Sequence, residues 1–307
     1  MPALSPSHSP DAQPDAALLR VRDLALAPRG DARAPLVADV DLDLARGDAL
    51  GLVGASGCGK SLSALALLDL LPAGVARTAG RIGYAEHDDL TRLPAATWHA
   101  LRGRPLGLMP QGAGSALHPT RTIGAQLIET LRWHRPRLTR RAARDEATAL
   151  LARVALPDPA ACLRRHPHAL SGGQRQRALL ALTLACEPAL LIADEPTAHL
   201  DVTVQAQILA LLDRLRRTLG LTLLLITHDL GAVAACCTHV AVMQRRPWPF
   251  DAPDAPASDP APRDRASRVG TVVERGTVAA VFAAPAHPHT RALLDARPRL
   301  LDAERSA

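Results

Sequence analysis

The chain has 307 residues, 48% hydrophobic and 21% charged, with a formal net charge of +6. That is enough for one large domain or two modest ones with a real core, and it excludes wholesale disorder. A basic surface suits nucleic acid or anionic lipid, but only 2% of residues are aromatic, which argues against a single-strand nucleic-acid binder built on stacking platforms. No nucleic-acid partner is expected.

Residues 1–17, rich in Pro, Ser and Asp, are expected to form a disordered tail, and they show neither the basic nor the apolar region of a signal peptide. Residues 18–53 carry alternating strand-like runs and end in the apolar strand "ALGLVG". "KSLSALALLDLLP" predicts a helix that stops at Pro72. Over 88–168 the character turns helical. In "TRRAARDEATALLARVAL" the residues Ala143, Ala147, Leu150 and Val154 fall on one face, so a helical subdomain inserted in an α/β core is expected. The core then resumes, with apolar strands "ALLIADEP" and "LTLLLITHD" alternating with helices "QRQRALLALTLA" and "VTVQAQILALLDRLRRTLG". That alternation predicts a mostly parallel sheet covered on both faces. The low-complexity stretch 247–268 sits between two strand-like pieces, "VAVMQ" and "GTVVERGT", and is expected at a hairpin tip. The most apolar stretch is broken by Glu187 and Pro188, so no membrane span is expected. Five cysteines, Cys58, Cys162, Cys186, Cys236 and Cys237, form no C-x-x-C pair, and a reducing cytosol fits.

"GASGCGKS" fits G-x-x-x-x-G-K-[ST] at Gly54, Gly59, Lys60 and Ser61, between a strand and a helix. The glycines let backbone N–H groups wrap a phosphate, and the helix N-terminus adds partial positive charge. Lys60 is the only lysine in the chain; every other basic position that is not histidine is arginine. An ammonium is a compact point charge on a thin stem, whereas a guanidinium is planar and too broad for the loop, which explains its survival here. Ser61 is expected to hold Mg²⁺. A second glycine motif, "LSGGQRQR" at 170–177, also precedes a helix but has no lysine. It reads as a capped helix start, with Ser171 as cap and Gln174 closing the box. It also reads as half of an anion site whose other half comes from a second molecule, and the two readings are compatible.

These motifs resemble those of ATP-binding-cassette (ABC) ATPases, for which "LSGGQ" is specific. The rest of the pattern follows in order. Gln111 stands at the Q-loop position, "LLIADE" resembles the Walker B strand, "AHLD" (198–201) the D-loop, and His228 in "ITHD" the switch histidine. The resemblance implies a P-loop NTPase fold of the α/β class over 18–307, with a mostly parallel core sheet, an N-terminal antiparallel β region and the helical subdomain. It implies ATP contacts from Gly54, Ala55, Ser56, Gly57, Cys58, Gly59, Lys60, Ser61 and Leu62, and, across a head-to-tail dimer, from Ser171, Gly172, Gly173, Gln174 and Asp201. Mg²⁺ would be held by Ser61, Gln111 and Asp194. Hydrolysis would rest on Glu195 to polarise the attacking water, His228 to reach the γ-phosphate, and Gln111 to report that phosphate to the helical subdomain.

Two departures stand out. Residues 18–53 contain no Phe, Tyr or Trp, where many members stack an aromatic on adenine, and Ala198–His199 replaces the usual Ser/Thr-Ala of the D-loop. Within the family, "DEPTAHLDVTVQAQIL" (194–209), the Gln111–Leu117–Pro119 spacing and the C-terminal segment in 269–307, "VERGTVAAVFAAPAHPHTRALL", resemble the peptide/nickel importer branch. "LPAGV…TAG" and the absence of cysteine after Cys237 lean to the nickel type; His287 and His289 fit a structural segment and are not evidence for nickel. The implied machine pairs this chain with a second ATPase, two permeases and an external solute-binding protein, at the cytoplasmic face of the membrane. The alternatives are a transporter for another substrate, an exporter, or a soluble ABC protein.

Overall fold

The computed structural model describes residues 17–248 and 268–296. The expected tail (1–17, apart from Ala17), nearly all of the 247–268 loop, and the end of the 269–307 segment lie outside the described residues. Nine described strands form one sheet in the order β4-β1-β2-β9-β8-β3-β7-β6-β5. They are β1 (Leu19–Pro28), β2 (Val37–Leu44), β3 (Ala49–Gly54), β4 (Val75–Tyr84), β5 (Leu106–Met109), β6 (Leu190–Asp194), β7 (Thr222–Thr227), β8 (His239–Pro247) and β9 (Arg268–Thr277). The block β8-β3-β7-β6-β5 is parallel throughout, whereas β1 pairs antiparallel with β2 and β4, and β8 with β9. The expected α/β architecture, with its parallel core and antiparallel N-terminal region, is therefore present.

Side-chain alternation along the central strands divides the core. Leu191, Ala193, Leu223 and Leu225 face one cluster, and Leu190, Ile192, Leu224 and Ile226 face the other. The first cluster is built with α4 (Ile123–His134), α5 (Arg140–Arg153), α7 (Gly172–Leu184) and α8 (Val202–Leu219). The second is built with α1 (Lys60–Ala66), α2 (Ala95–Leu101) and the antiparallel strands. The four residues Ala143, Ala147, Leu150 and Val154 are all buried in the first cluster. Short helices α3 (Ala113–Ala116) and α6 (Pro159–Cys162) flank α4 and α5; α9 (Leu230–Cys236), α10 (Val278–Ala283) and α11 (Pro288–Asp295) follow the later strands.

Two expectations need correction. The helix over 60–72 ends at Ala66, six residues before Pro72. Arg102 holds the turn that follows, donating from Nε to Leu68 O at 2.7 Å and from a terminal nitrogen to Asp69 O at 2.8 Å, while Asp69 turns left-handed at φ 52°. The region 88–168 is not one helical insertion: Leu106–Met109 is the edge strand of the core sheet, paired in parallel with Leu190–Ala193. At four residues with Gly107 inside, it is too short to show period-2 alternation. The helical insertion therefore begins after Gln111.

Candidate active site

Because the central strands are parallel, β3, β6 and β7 deliver Gly54, Asp194 and Thr227 to the same edge of the sheet. Register brings Val53 opposite Thr227 and Asp194 opposite Ile226. The loops that leave these ends carry the chemistry, as expected for the carboxyl edge of an open α/β sheet.

The phosphate loop wraps from β3 into α1, with Gly57 and Gly59 at φ 78° and 100°. A side chain at Gly59 would be strained there and would strike Val37. Lys60 is buried and donates to Gly54 O at 2.7 Å and Ala55 O at 3.1 Å. It thus holds the loop's own carbonyls, with its charge stored at the loop's centre. Cys58 is also buried, and desolvation pushes its thiol up despite Lys60 nearby, so it fills space in the neutral form. Gly57, Gly59, Lys60, Ser61 and Leu62 line a cavity of about 270 Å³ whose remaining wall is Leu36 and Arg245.

Asp194 ends β6 beside this loop. Burial pushes its carboxyl up; the Ser61 hydroxyl pulls it down, Glu195 pushes it up and Lys60 pulls it down. Its Oδ1 is buried and accepts no hydrogen bond. An orphaned carboxylate oxygen next to a hydroxyl is a fitting donor set for a hard divalent cation. Among the described residues no cluster of three or more His, Cys, Asp or Glu could hold a metal ion. A Mg²⁺ ion held by one carboxylate and a hydroxyl would complete its shell with substrate phosphates and water.

Glu195 follows at φ 47°, a left-handed conformation that costs a non-glycine residue about 1–3 kcal/mol and is kept where the surroundings enforce it. Its N–H donates to Ile226 O at 2.8 Å, tying the turn to β7. His228, from the turn after β7, places Nδ1 3.0 Å from both Glu195 oxygens. Glu195 is largely enclosed at 11% side-chain exposure, whereas His228 is open at 62%. Both line a cavity of about 700 Å³ together with Ser56, Gln111, Ala198 and His199. A carboxylate held by an imidazole, next to a phosphate-binding loop, can polarise a water for in-line attack.

Ser171, Gly172, Gly173, Gln174 and Asp201 line neither cavity. The Ser171–Gln174 capping box at α7 is fully formed. A Cβ at Gly173 would come within 2.6 Å of Val204, so this glycine is demanded by the packing of α7 on α8. Asp201 caps α8 by accepting from Val204 N at 3.0 Å. Sequence reasoning missed Leu36 and Arg245, because neither belongs to a motif. It also missed Leu293 and Ala296 at the end of α11, which line the larger cavity.

Residues 37–198 match the ABC transporter family. The chain belongs to that family. It is 40% identical over 265 residues to the dipeptide transport ATP-binding protein DppD of Bacillus subtilis, an alignment that covers 86% of this chain and 71% of that one. It is 37% identical to the oligopeptide transport ATP-binding protein OppD of Salmonella typhimurium, covering 97% and 81%. The fold matches the ATP-binding cassette MJ0796, a dimer in a post-hydrolysis state bound to ADP and Pi, with a TM-score of 0.67 over 85% of this chain and 98% of that one at 21% identity. This chain is an ATPase of the ABC transporter family. Among the described residues no helix is long and apolar enough to cross a membrane.

Proposed function

We propose that this ATPase drives uptake of peptides through two partner permeases at the cytoplasmic face of the membrane, acting as one half of an ATPase dimer fed by an external solute-binding protein. The observation that carries the catalytic part is the convergence of Lys60, Asp194, Glu195 and His228 on one sheet edge. The likeness to dipeptide and oligopeptide transport proteins supports the peptide part.

In this reading residues 54–62 cradle the phosphates, and Lys60 turns from its own loop carbonyls to the β- and γ-phosphates. Asp194, Ser61 and Gln111 would hold Mg²⁺, which neutralises phosphate charge when bound. Glu195 accepts the proton of the attacking water, and His228 holds that carboxylate and reaches the γ-phosphate. Ser171, Gly172, Gly173 and Gln174 would close the partner's nucleotide, with Asp201 beside the junction. That none of them lines this chain's own cavities supports that role.

The test is co-purification with permeases, followed by ATPase assay in vesicles with a loaded binding protein. Stimulation by peptide-loaded binding protein is expected. Stimulation only by a nickel complex, or outward transport, would overturn the peptide-import reading.

A further inference from the structure

The sequence marks 269–307 only as a family segment, and the roles assigned to the site above make no use of its described part, 269–296. That part nevertheless touches the site. A small cluster joins Val53, the residue before Gly54, to Leu230, two residues after His228, together with Val233, Val240, Val242 and Val281. Phe282, Leu293 and Leu294 pack against that cluster from α10 and α11. Leu293 and Ala296 also line the cavity that contains Glu195 and His228. The end of α11 is thus a wall of the hydrolytic cavity and a floor under the turn that carries His228.

A clamp fixes α11 in place. Glu274 on β9 accepts from Ala286 N at 2.7 Å and from His287 N at 3.0 Å, and the fully buried Thr290 lies beside it. Burial pushes the Glu274 carboxyl up, but the Thr290 hydroxyl and these two N–H groups outweigh it and hold it below the usual carboxylate range. His287 caps α11 in turn, its Nδ1 accepting from His289 N at 3.1 Å. The bonds within the turn that carries His228 run from Asp229 N to the Thr227 hydroxyl and from Gly231 N to Asp229 Oδ1, and the His228 ring adds its contact with Glu195. Apart from its contact with Glu195 the His228 ring is mostly exposed, so the turn beneath it, packed through Leu230, helps to set where the ring stands.

We propose that the β9–α11 segment is a positioning element of the hydrolytic site: Leu293 and Leu294, held by the Glu274 clamp, set where Leu230 and hence His228 stand against Glu195. The inference rests on the proposed role of His228. It assigns the C-terminal segment a function in turnover rather than in nucleotide binding, because the segment lines the Glu195–His228 cavity and not the one around Lys60.

The experiment compares the full-length wild type with Leu293→Ala, Leu293→Met, Glu274→Ala and His228→Ala. It measures kcat and KM for ATP, affinity for a non-hydrolysable ATP analogue, and thermal unfolding. A displacement of the order of 1 Å can lower a rate by about a hundredfold. Leu293→Ala and Glu274→Ala are each expected to lower kcat about tenfold or more, with analogue affinity within about twofold of wild type. Leu293→Met, which keeps the volume, should restore most of the rate. Unchanged kcat in Leu293→Ala and Glu274→Ala beside a low kcat in His228→Ala would overturn the positioning role and leave the His228 assignment standing. An unchanged kcat in His228→Ala would overturn that assignment and this inference with it. Parallel losses of rate, affinity and melting temperature would show a merely structural segment and also overturn it.

Discussion

His228 Nδ1 stands 3.0 Å from each carboxylate oxygen of Glu195, so the imidazole straddles the carboxylate instead of choosing one oxygen. The pair is assembled by the sheet: β6 and β7 run parallel in register, and each residue sits in the turn just past its strand. Glu195→Gln keeps the shape and removes the base. Turnover should fall by about 10²–10⁴-fold, while ATP binding persists. Size-exclusion chromatography in Mg-ATP should show an ATP-held dimer, because hydrolysis no longer separates the chains. Substantial remaining turnover would remove Glu195 from its assigned role.

Ser171 offers a way to separate helix capping from nucleotide contact. Its hydroxyl accepts from Gln174 N at 3.3 Å at the start of α7. Ser171→Ala should cost about 1 kcal/mol through the lost cap, or about 2–4 °C in melting temperature for a domain of this size. Ser171→Asp keeps the cap and should restore stability. On the proposed dimer it places a carboxylate against the partner's triphosphate, so hydrolysis should stay low. Recovery of both stability and turnover in Ser171→Asp would confine this motif to capping.

Asp194 sets a pH dependence whose sign follows from its raised carboxyl pKa. The native state binds this proton more tightly than the unfolded chain does. Its contribution to stability therefore declines as pH rises from the ordinary value of 3.8 through the higher native value. At neutral pH the buried carboxylate, with its orphaned Oδ1, is a cost to the nucleotide-free protein. Asp194→Asn should raise the melting temperature at pH 7 and reduce the extra stabilisation that Mg-ATP gives over ATP alone. Differential scanning fluorimetry reads both; a lower melting temperature in the variant would contradict the account.

Arg245 is the residue of the phosphate-loop cavity that no motif announced. Its guanidinium donates to Arg268 O at 3.2 and 2.8 Å, which holds it at the cavity wall opposite Lys60. A charge-assisted contact is worth about 1.5–3 kcal/mol, and this one is exposed. Arg245→Ala should therefore weaken ATP by about three- to tenfold and leave the turnover of bound ATP unchanged. Titration with a fluorescent ATP analogue and a kcat measurement decide it.

The contrast between Lys60 and Arg245 shows what was legible in the sequence. Residues whose chemistry demands a fixed spacing along the chain could be read directly: the phosphate loop, the Asp194–Glu195 pair at a strand end, and the Ser171–Gln174 box. The parallel core was legible because buried strands such as Leu190–Asp194 are apolar without interruption. Leu106–Met109 was not, since four residues around a glycine carry too little pattern. Leu36, Arg245 and Leu293 reach the site only through strand order and helix packing, which no local spacing encodes.

Lys60 provides the sharpest test. Its Nζ lies 2.7 Å from Gly54 O and 3.1 Å from Ala55 O, buried in the loop it is proposed to lend to ATP. As the only lysine in the chain, it shares reactivity toward an amine probe with the α-amine alone. Mg-ATP should protect Lys60 while the α-amine keeps reacting, which peptide mapping by mass spectrometry reads out. Lys60→Arg keeps the charge, yet a planar guanidinium cannot fill the space of an ammonium between those carbonyls. Nucleotide binding should be abolished in a protein whose chain accepts arginine at every other basic position apart from histidine. If Lys60→Arg bound nucleotide as the wild type does, the geometry of this loop would not be what keeps lysine here.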